Sequence, residues 1–186
     1  MKRRLLLAAS AALGATTLAG CATPTPADYA GEQPQLDLRR YFDGVVHAYG
    51  VFTDRSGKVV KRFTVVMNCR WSGEAGREVG VLDEDFLYSD GSTQKRIWTL
   101  RREPGEGGQG RYRGTAGDVV GEARGEERGN AFYWSYDLNL EVDGRTVVVH
   151  FEDWMFLMDE RVMLNRATMS KWGVTLGEVT LSFVKR

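Results

Sequence analysis

The side chains in this chain that could do chemistry are carboxylates and cations set among apolar residues. Asp83, Glu84 and Asp85 run consecutively between Leu82 and Phe86. On an extended chain successive side chains point to opposite faces, so Glu84 shares a face with Leu82, Phe86 and Tyr88. A carboxylate on an apolar face needs a partner, because a buried unpaired charge is costly. Arg166 shares a face with Val162 and Leu164 by the same rule. A Glu84–Arg166 pair inside the fold would orient the polar head of a ligand; the alternative is that one or both faces meet solvent. Glu84 and Asp85 are also the candidates for acid–base work. No Gly-x-Ser-x-Gly elbow and no nucleophile–base set accompanies them, so no catalytic residue is assigned and a non-enzymatic role is expected.

Other chemical groups are sparse. The two histidines, His47 and His150, fall on separate expected strands and have no His-x-x-x-His or Cys-x-x-Cys spacing. They are expected to be hydrogen-bonded strand residues, with no metal site and no cofactor. The stretch from Gly105 to Gly110 is glycine-rich but lacks the Lys-Ser/Thr of a phosphate loop. Cys69 lies in phase with Phe63, Val65 and Met67, as a buried inert thiol would. Trp71, Trp98 and Trp134 fall on apolar strand faces. Trp154-Met155-Phe156-Leu157-Met158 is apolar on both faces, which fits a strand covered on both sides or a set of apolar side chains rimming a pocket mouth. The candidate ligand-binding residues are therefore Trp71, Glu84, Trp98, Trp134, His150, Trp154 and Arg166.

The elements that must position these groups have a period of two. From Phe132 to Val142, Phe132, Trp134, Tyr136, Leu138, Leu140 and Val142 alternate with Tyr133, Ser135, Asp137, Asn139 and Glu141. Such alternation is a strand with one buried face. Val59 to Trp71 and Val179 to Phe183 read the same way. Turn signals separate the runs: Asp54-Arg55-Ser56-Gly57, Ser89-Asp90-Gly91, the Glu103–Gly110 loop and Asp143-Gly144. Gly114 to Ala123 reads as a bulged hairpin with Asp118 capping its turn. About nine or ten short strands follow from this spacing. Helix is confined to a turn or two at Leu36 to Phe42 and at Thr168 to Trp172. Consecutive hairpins with one apolar face close as an up-and-down barrel or stack as a sandwich; closure removes exposed edges. The expected fold is an all-β, lipocalin-like (calycin) antiparallel up-and-down barrel, with the sandwich as the alternative. Gly44-Val45-Val46 lacks the tryptophan that classical lipocalins carry in their first strand. A barrel of this size is either filled by side chains or holds one small ligand.

The N-terminus carries an address. Lys2, Arg3 and Arg4 precede an apolar stretch from Leu5 to Leu18, followed by small residues and Cys21. That order is a secretory signal, too short for a comfortable membrane span. Leu18-Ala19-Gly20-Cys21 resembles the lipobox of bacterial lipoproteins. The resemblance implies cleavage before Cys21 and lipidation of its thiol, and two or more acyl chains anchor stably. Ala22, where inner-membrane lipoproteins carry Asp, implies sorting to the outer membrane, facing the periplasm. Ala22 to Gln35, with Pro24, Pro26 and Pro34, reads as a flexible tether. The expected organisation is a signal peptide at 1–20, the lipidated cysteine and tether at 21–35 and a single barrel domain at 36–186. The full chain has 25 basic and 25 acidic residues. Loss of Lys2, Arg3 and Arg4 leaves an acidic excess, which is no footprint for nucleic acid.

Several blocks resemble an uncharacterised bacterial lipoprotein family, domain of unknown function 3833. They are Tyr41-Phe42-Asp43-Gly44, Leu82 to Phe86 with Tyr88-Ser89-Asp90-Gly91, Gly114 to Ala123, and Asp153-Trp154-Met155 through Asn165, Met169, Ser170, Lys171 and Gly173. The resemblance implies a lipidated envelope domain and no particular activity. The expected function is an envelope lipoprotein whose barrel binds a small apolar or amphipathic, lipid-like molecule. The alternative is a side-chain-filled barrel that serves as an interaction subunit of an envelope assembly.

Overall fold

The computed structural model describes residues 23–105, 109–142 and 144–186. The expected signal segment, Cys21 and part of the Glu103–Gly110 loop lie outside the described residues. Ten strands account for most of the rest: β1 (Gly44–Asp54), β2 (Val59–Ser72), β3 (Val79–Tyr88), β4 (Thr93–Pro104), β5 (Gly110–Thr115), β6 (Val119–Arg128), β7 (Ala131–Val142), β8 (Arg145–Leu157), β9 (Val162–Lys171) and β10 (Val174–Lys185). Every strand pairs antiparallel with its neighbour in sequence, and β10 returns to β1, so the sheet closes as an up-and-down barrel. The closing seam runs in unbroken register from Val46↔Lys185 to Asp54↔Gly177. No sheet edge is left to template pairing with another chain. The sandwich alternative is excluded.

Alternation decides which residues face inward. On β7, Phe132, Trp134 and Leu138 are buried, and on β8 Val149, Phe151 and Asp153 are buried. The expected Gly114–Ala123 bulge is present: pairing of β6 with β7 shifts between Val120 and Arg124, and Gly121 sits at φ 70°. The expected helix at Thr168 to Trp172 is absent. Thr168 to Lys171 instead complete β9, where Met169 pairs with Phe151 of β8, and Trp172 and Gly173 make the turn to β10, both at positive φ.

One end of the barrel is plugged. A single helical turn, α1 (Leu38–Tyr41), is started by Asp37, whose carboxylate accepts from Arg40 N at 3.0 Å. Leu38 and Phe42 are 1% and 2% exposed. The Phe42 ring meets Phe183 edge-on at 5.2 Å, and Trp71 Nε1 donates to the Phe42 carbonyl at 2.6 Å. Glu127 of β6 ties this plug to the wall. It accepts from Leu38 N at 3.0 Å, Gly110 N at 2.6 Å and Tyr112 Oη at 3.2 Å. Full burial of one such aromatic contributes about 1.5–3 kcal/mol.

The segment before the plug is also docked. Pro26–Tyr29 form a 3₁₀ turn. Tyr29 packs on Trp154 and Phe156 at ring distances of 5.4 and 5.2 Å, and Leu36 N donates to Gly129 O at 2.7 Å. From Pro26 onward, the stretch read as tether therefore lies against the barrel. This cover explains why 154–158 is apolar on both faces: Met155 and Leu157 point in, while Trp154 and Phe156 point out beneath Tyr29.

Candidate functional site: a cavity with buried carboxyls

Above the plug the barrel interior is open. A cavity of about 710 Å³ runs from Leu38 and Phe42 to the rim near Lys61, Ser92 and Glu141. That volume lies in the range of small-molecule sites. The barrel is therefore not filled by its side chains. Its wall is mostly aromatic and aliphatic. Trp98 packs edge-on to Trp134 at 5.7 Å and to Tyr136 at 5.4 Å, and Tyr136 stacks on Phe151 at 5.3 Å. Trp134 can lie flat along the wall because Gly114 and Gly125 face it. A Cβ at Gly125 would fall 2.3 Å from the indole, and one at Gly114 would fall 2.7 Å away.

Polar groups break this wall at one level. Glu84 of β3 stands opposite Arg96 of β4. Arg96 turns its guanidinium to Asp118, in the β5–β6 turn, with Nε 2.9 Å and Nη2 2.7 Å from Asp118 Oδ2. Its charge is thereby paired, and the guanidinium also lies 5.5 Å from the Phe86 ring centre. Asp153 of β8 receives a hydrogen bond from Asn165 Nδ2 of β9, and the same amide donates to Trp154 O at 3.2 Å. Glu84 is 8% exposed. It lines the cavity and makes no hydrogen bond among the described residues. Burial pushes its carboxyl up to about 7, with Arg96 opposing and Asp118 and Asp153 adding to the rise. Burial likewise pushes Asp153 up to about 6, against the Asn165 hydrogen bond and the Arg96 charge. The interior thus holds two carboxyls that exchange a proton near neutral pH.

The structure separates the candidate residues by face. Glu84, Trp98 and Trp134 line the cavity. Trp71 points inward but lower, in the plugged end, against Tyr112 at 6.2 Å. His150, Trp154 and Arg166 are on the outer surface. His150 Nδ1 lies 2.8 Å from Asp137 Oδ1, and Arg166 Nη2 donates to Glu178 at 2.5 Å while 66% exposed. The Glu84–Arg166 pair does not form. Leu164, which set the expected face of Arg166, is itself 44% exposed, so an outward leucine was read as an inward one. Asp85 is also outside, bonded to Lys95 at 2.9 Å.

Arg96, Asp118, Tyr136, Asp153 and Asn165 complete the site and were not among the expected ligand-binding residues; Asp118 was expected to cap its turn, but its carboxylate is held by Arg96 instead. Four of them carry a usable signal. Arg96 is in phase with Trp98 and Leu100, Asp153 with Phe151 and Met155, Asn165 with Met163 and Met169, and Tyr136 with Trp134 and Leu138. Asp118 sits in a turn, where no period applies. Cys69 is buried and free, and burial pushes its thiol up to about 12, with Glu84 adding to the rise. No group of three or more His, Cys, Asp or Glu suited to a metal ion occurs among the described residues. Nor is any helix there long and apolar enough to cross a membrane.

The chain belongs to the family described as protein of unknown function (DUF3833), whose sequence profile matches residues 15–185. No curated protein matches it. Among solved structures it resembles the S-type phycobiliprotein lyase CPES from Guillardia theta, with a TM-score of 0.57 at 6% identity. The match covers 78% of this chain and 89% of that one. At this identity the likeness concerns the fold alone, a lipocalin-like barrel.

Proposed function

We propose that this protein is an envelope lipoprotein whose barrel binds one small apolar or amphipathic molecule, without catalysing a reaction on it. The observation that carries the reading is the aromatic cavity of about 710 Å³, open at one end and closed by α1 at the other. The open volume weighs against the filled-barrel alternative, and the lipocalin-like neighbour is compatible with ligand binding. Membrane attachment rests on the lipobox-like Leu18-Ala19-Gly20-Cys21 and the signal that precedes it, with the outer membrane, periplasmic side, as the proposed location. Native mass spectrometry of the full chain isolated from its own membranes tests the proposal. A discrete adduct of small-molecule mass, lost when Trp134 is replaced by Ala, is expected. A bare polypeptide mass together with no uptake of added amphiphiles would overturn it.

A further inference from the structure

The polar level of the cavity specifies the head group of its ligand, an inference that rests on the binding reading above. The titratable groups that face this volume are Lys61 of β2, Glu84 and Tyr88 of β3, Arg96 of β4, Asp118 of the β5–β6 turn, Tyr136 and Glu141 of β7 and Asp153 of β8. Two are cations and four are carboxyls, and both cations are already committed. Arg96 is held by Asp118 at 2.7 Å. Lys61 is at the rim, 3.0 Å from Asp90 and over the Tyr88 ring. Glu84 faces Arg96 across the β3–β4 pair and each favours the other's charge, but no hydrogen bond or ion pair joins the two among the described residues. Glu84 is more than nine-tenths buried, aimed into the open volume, and has no hydrogen-bond donor.

A guest with a carboxylate head would enter a wall whose guanidinium is already paired and whose remaining ionisable groups are acids. A guest with a positive nitrogen would meet the reverse. Glu84 supplies the counter-charge, Asp153 adds to the negative field, and the faces of Trp98, Trp134 and Tyr136 attract a cation. We infer that the cavity selects an amphiphile bearing a protonated nitrogen, with Glu84 as its counter-ion and the aromatic wall around its apolar part.

The inference carries a proton balance. An empty cavity holds Glu84 largely protonated below neutrality, since burial pushes it up to about 7. An ammonium seated against it requires the carboxylate, so binding releases that proton to buffer. Affinity then rises with pH until Glu84 is ionised in the empty protein, by about tenfold between pH 6 and pH 8. Asp153, pushed up to about 6, contributes in the same direction at lower pH.

Three probes of equal chain length separate the outcomes: decylamine, decanol and decanoate, titrated calorimetrically into the full-chain protein at pH 6 and pH 8. The expected order is amine above alcohol above acid at pH 8. Amine affinity should fall about tenfold at pH 6, with proton release seen as a dependence of heat on buffer ionisation. In Glu84→Gln the amine should lose at least tenfold in affinity at pH 8 and lose the pH dependence, while decanol binding is retained as proof of an intact cavity. Equal binding of amine and alcohol, or amine binding indifferent to Glu84→Gln, overturns the head-group inference and leaves the carrier reading standing. Tighter binding of decanoate overturns it as well. Uptake of none of the three overturns both.

Discussion

Glu127 and Glu84 are both glutamates buried inside the same barrel, and they differ in what surrounds them. Glu127, 2% exposed, sits at the plugged end and accepts from two backbone N–H groups and the Tyr112 hydroxyl. Burial raises its pKa, and the Leu38 and Gly110 N–H groups oppose that rise. Glu84 sits in the open half with no donor. The first carboxylate is consumed in closing the fold: it fixes α1, which in turn fixes Phe42. The second makes no hydrogen bond among the described residues and faces the cavity. The difference is one of place: a carboxylate among donors holds the fold together, and a carboxyl on a cavity wall is free to meet a ligand.

The contrast breaks most sharply at Glu127. Glu127→Ala leaves Leu38 N and Gly110 N without their acceptor and loosens the plug. We expect a loss of about 3–5 kcal/mol, read as a melting temperature lower by roughly 10 °C in a domain of this size.

Glu84 should behave oppositely. Its carboxyl, like that of Asp153, binds its proton more tightly in the folded state than in the unfolded one. The contribution of these two carboxyls to stability is therefore fully present below the ordinary carboxylate range and is lost as pH rises from about 4 through about 7. Glu84→Gln should remove the larger share of that decline. It should stabilise the protein at pH 8 by on the order of 3 kcal/mol and change little at pH 4. Urea unfolding at both pH values measures this, and equal pH slopes in the two proteins would remove the distinction between the glutamates.

A third variant sharpens the comparison from outside the barrel. Arg166→Ala deletes an exposed ion pair with Glu178 and should cost under about 1 kcal/mol. It should leave amphiphile binding unchanged. A loss of binding would mean that the outer face matters after all.

The fold was largely legible because its signal is local and repeated. Phe132 to Val142 alternates for its whole length, and a turn signal such as Asp143-Gly144 in the sequence leaves little freedom in connecting strands. The site was legible only where phase could be anchored. Glu84 follows from Leu82 and Phe86, and Trp134 from Phe132 and Leu138. Arg166 failed because Leu164 is an outward leucine; anchoring on Met163, Ala167 and Met169, all buried, would have selected Asn165 instead. Trp154 failed for a different reason. Its outer face is covered by Tyr29, more than a hundred residues away in sequence, and no periodicity reports such a contact. Asp118 reaches Arg96 from a turn, where side-chain direction follows from tertiary geometry alone. Closure itself, β10 onto β1, is also non-local, and was an inference from edge avoidance rather than a reading of residues.

The central claim is that the guest enters the barrel, and methionine methyl groups report on it from both sides of the wall. Met67, Met155 and Met169 line the cavity, whereas Met158 is 54% exposed outside it. With 13C-methyl methionine labelling and decylamine titrated at pH 8, the account predicts saturable shifts at Met67, Met155 and Met169 and none at Met158. Shifts confined to Met158, or none at the three cavity methyls at saturating decylamine, decanol and decanoate, would contradict it.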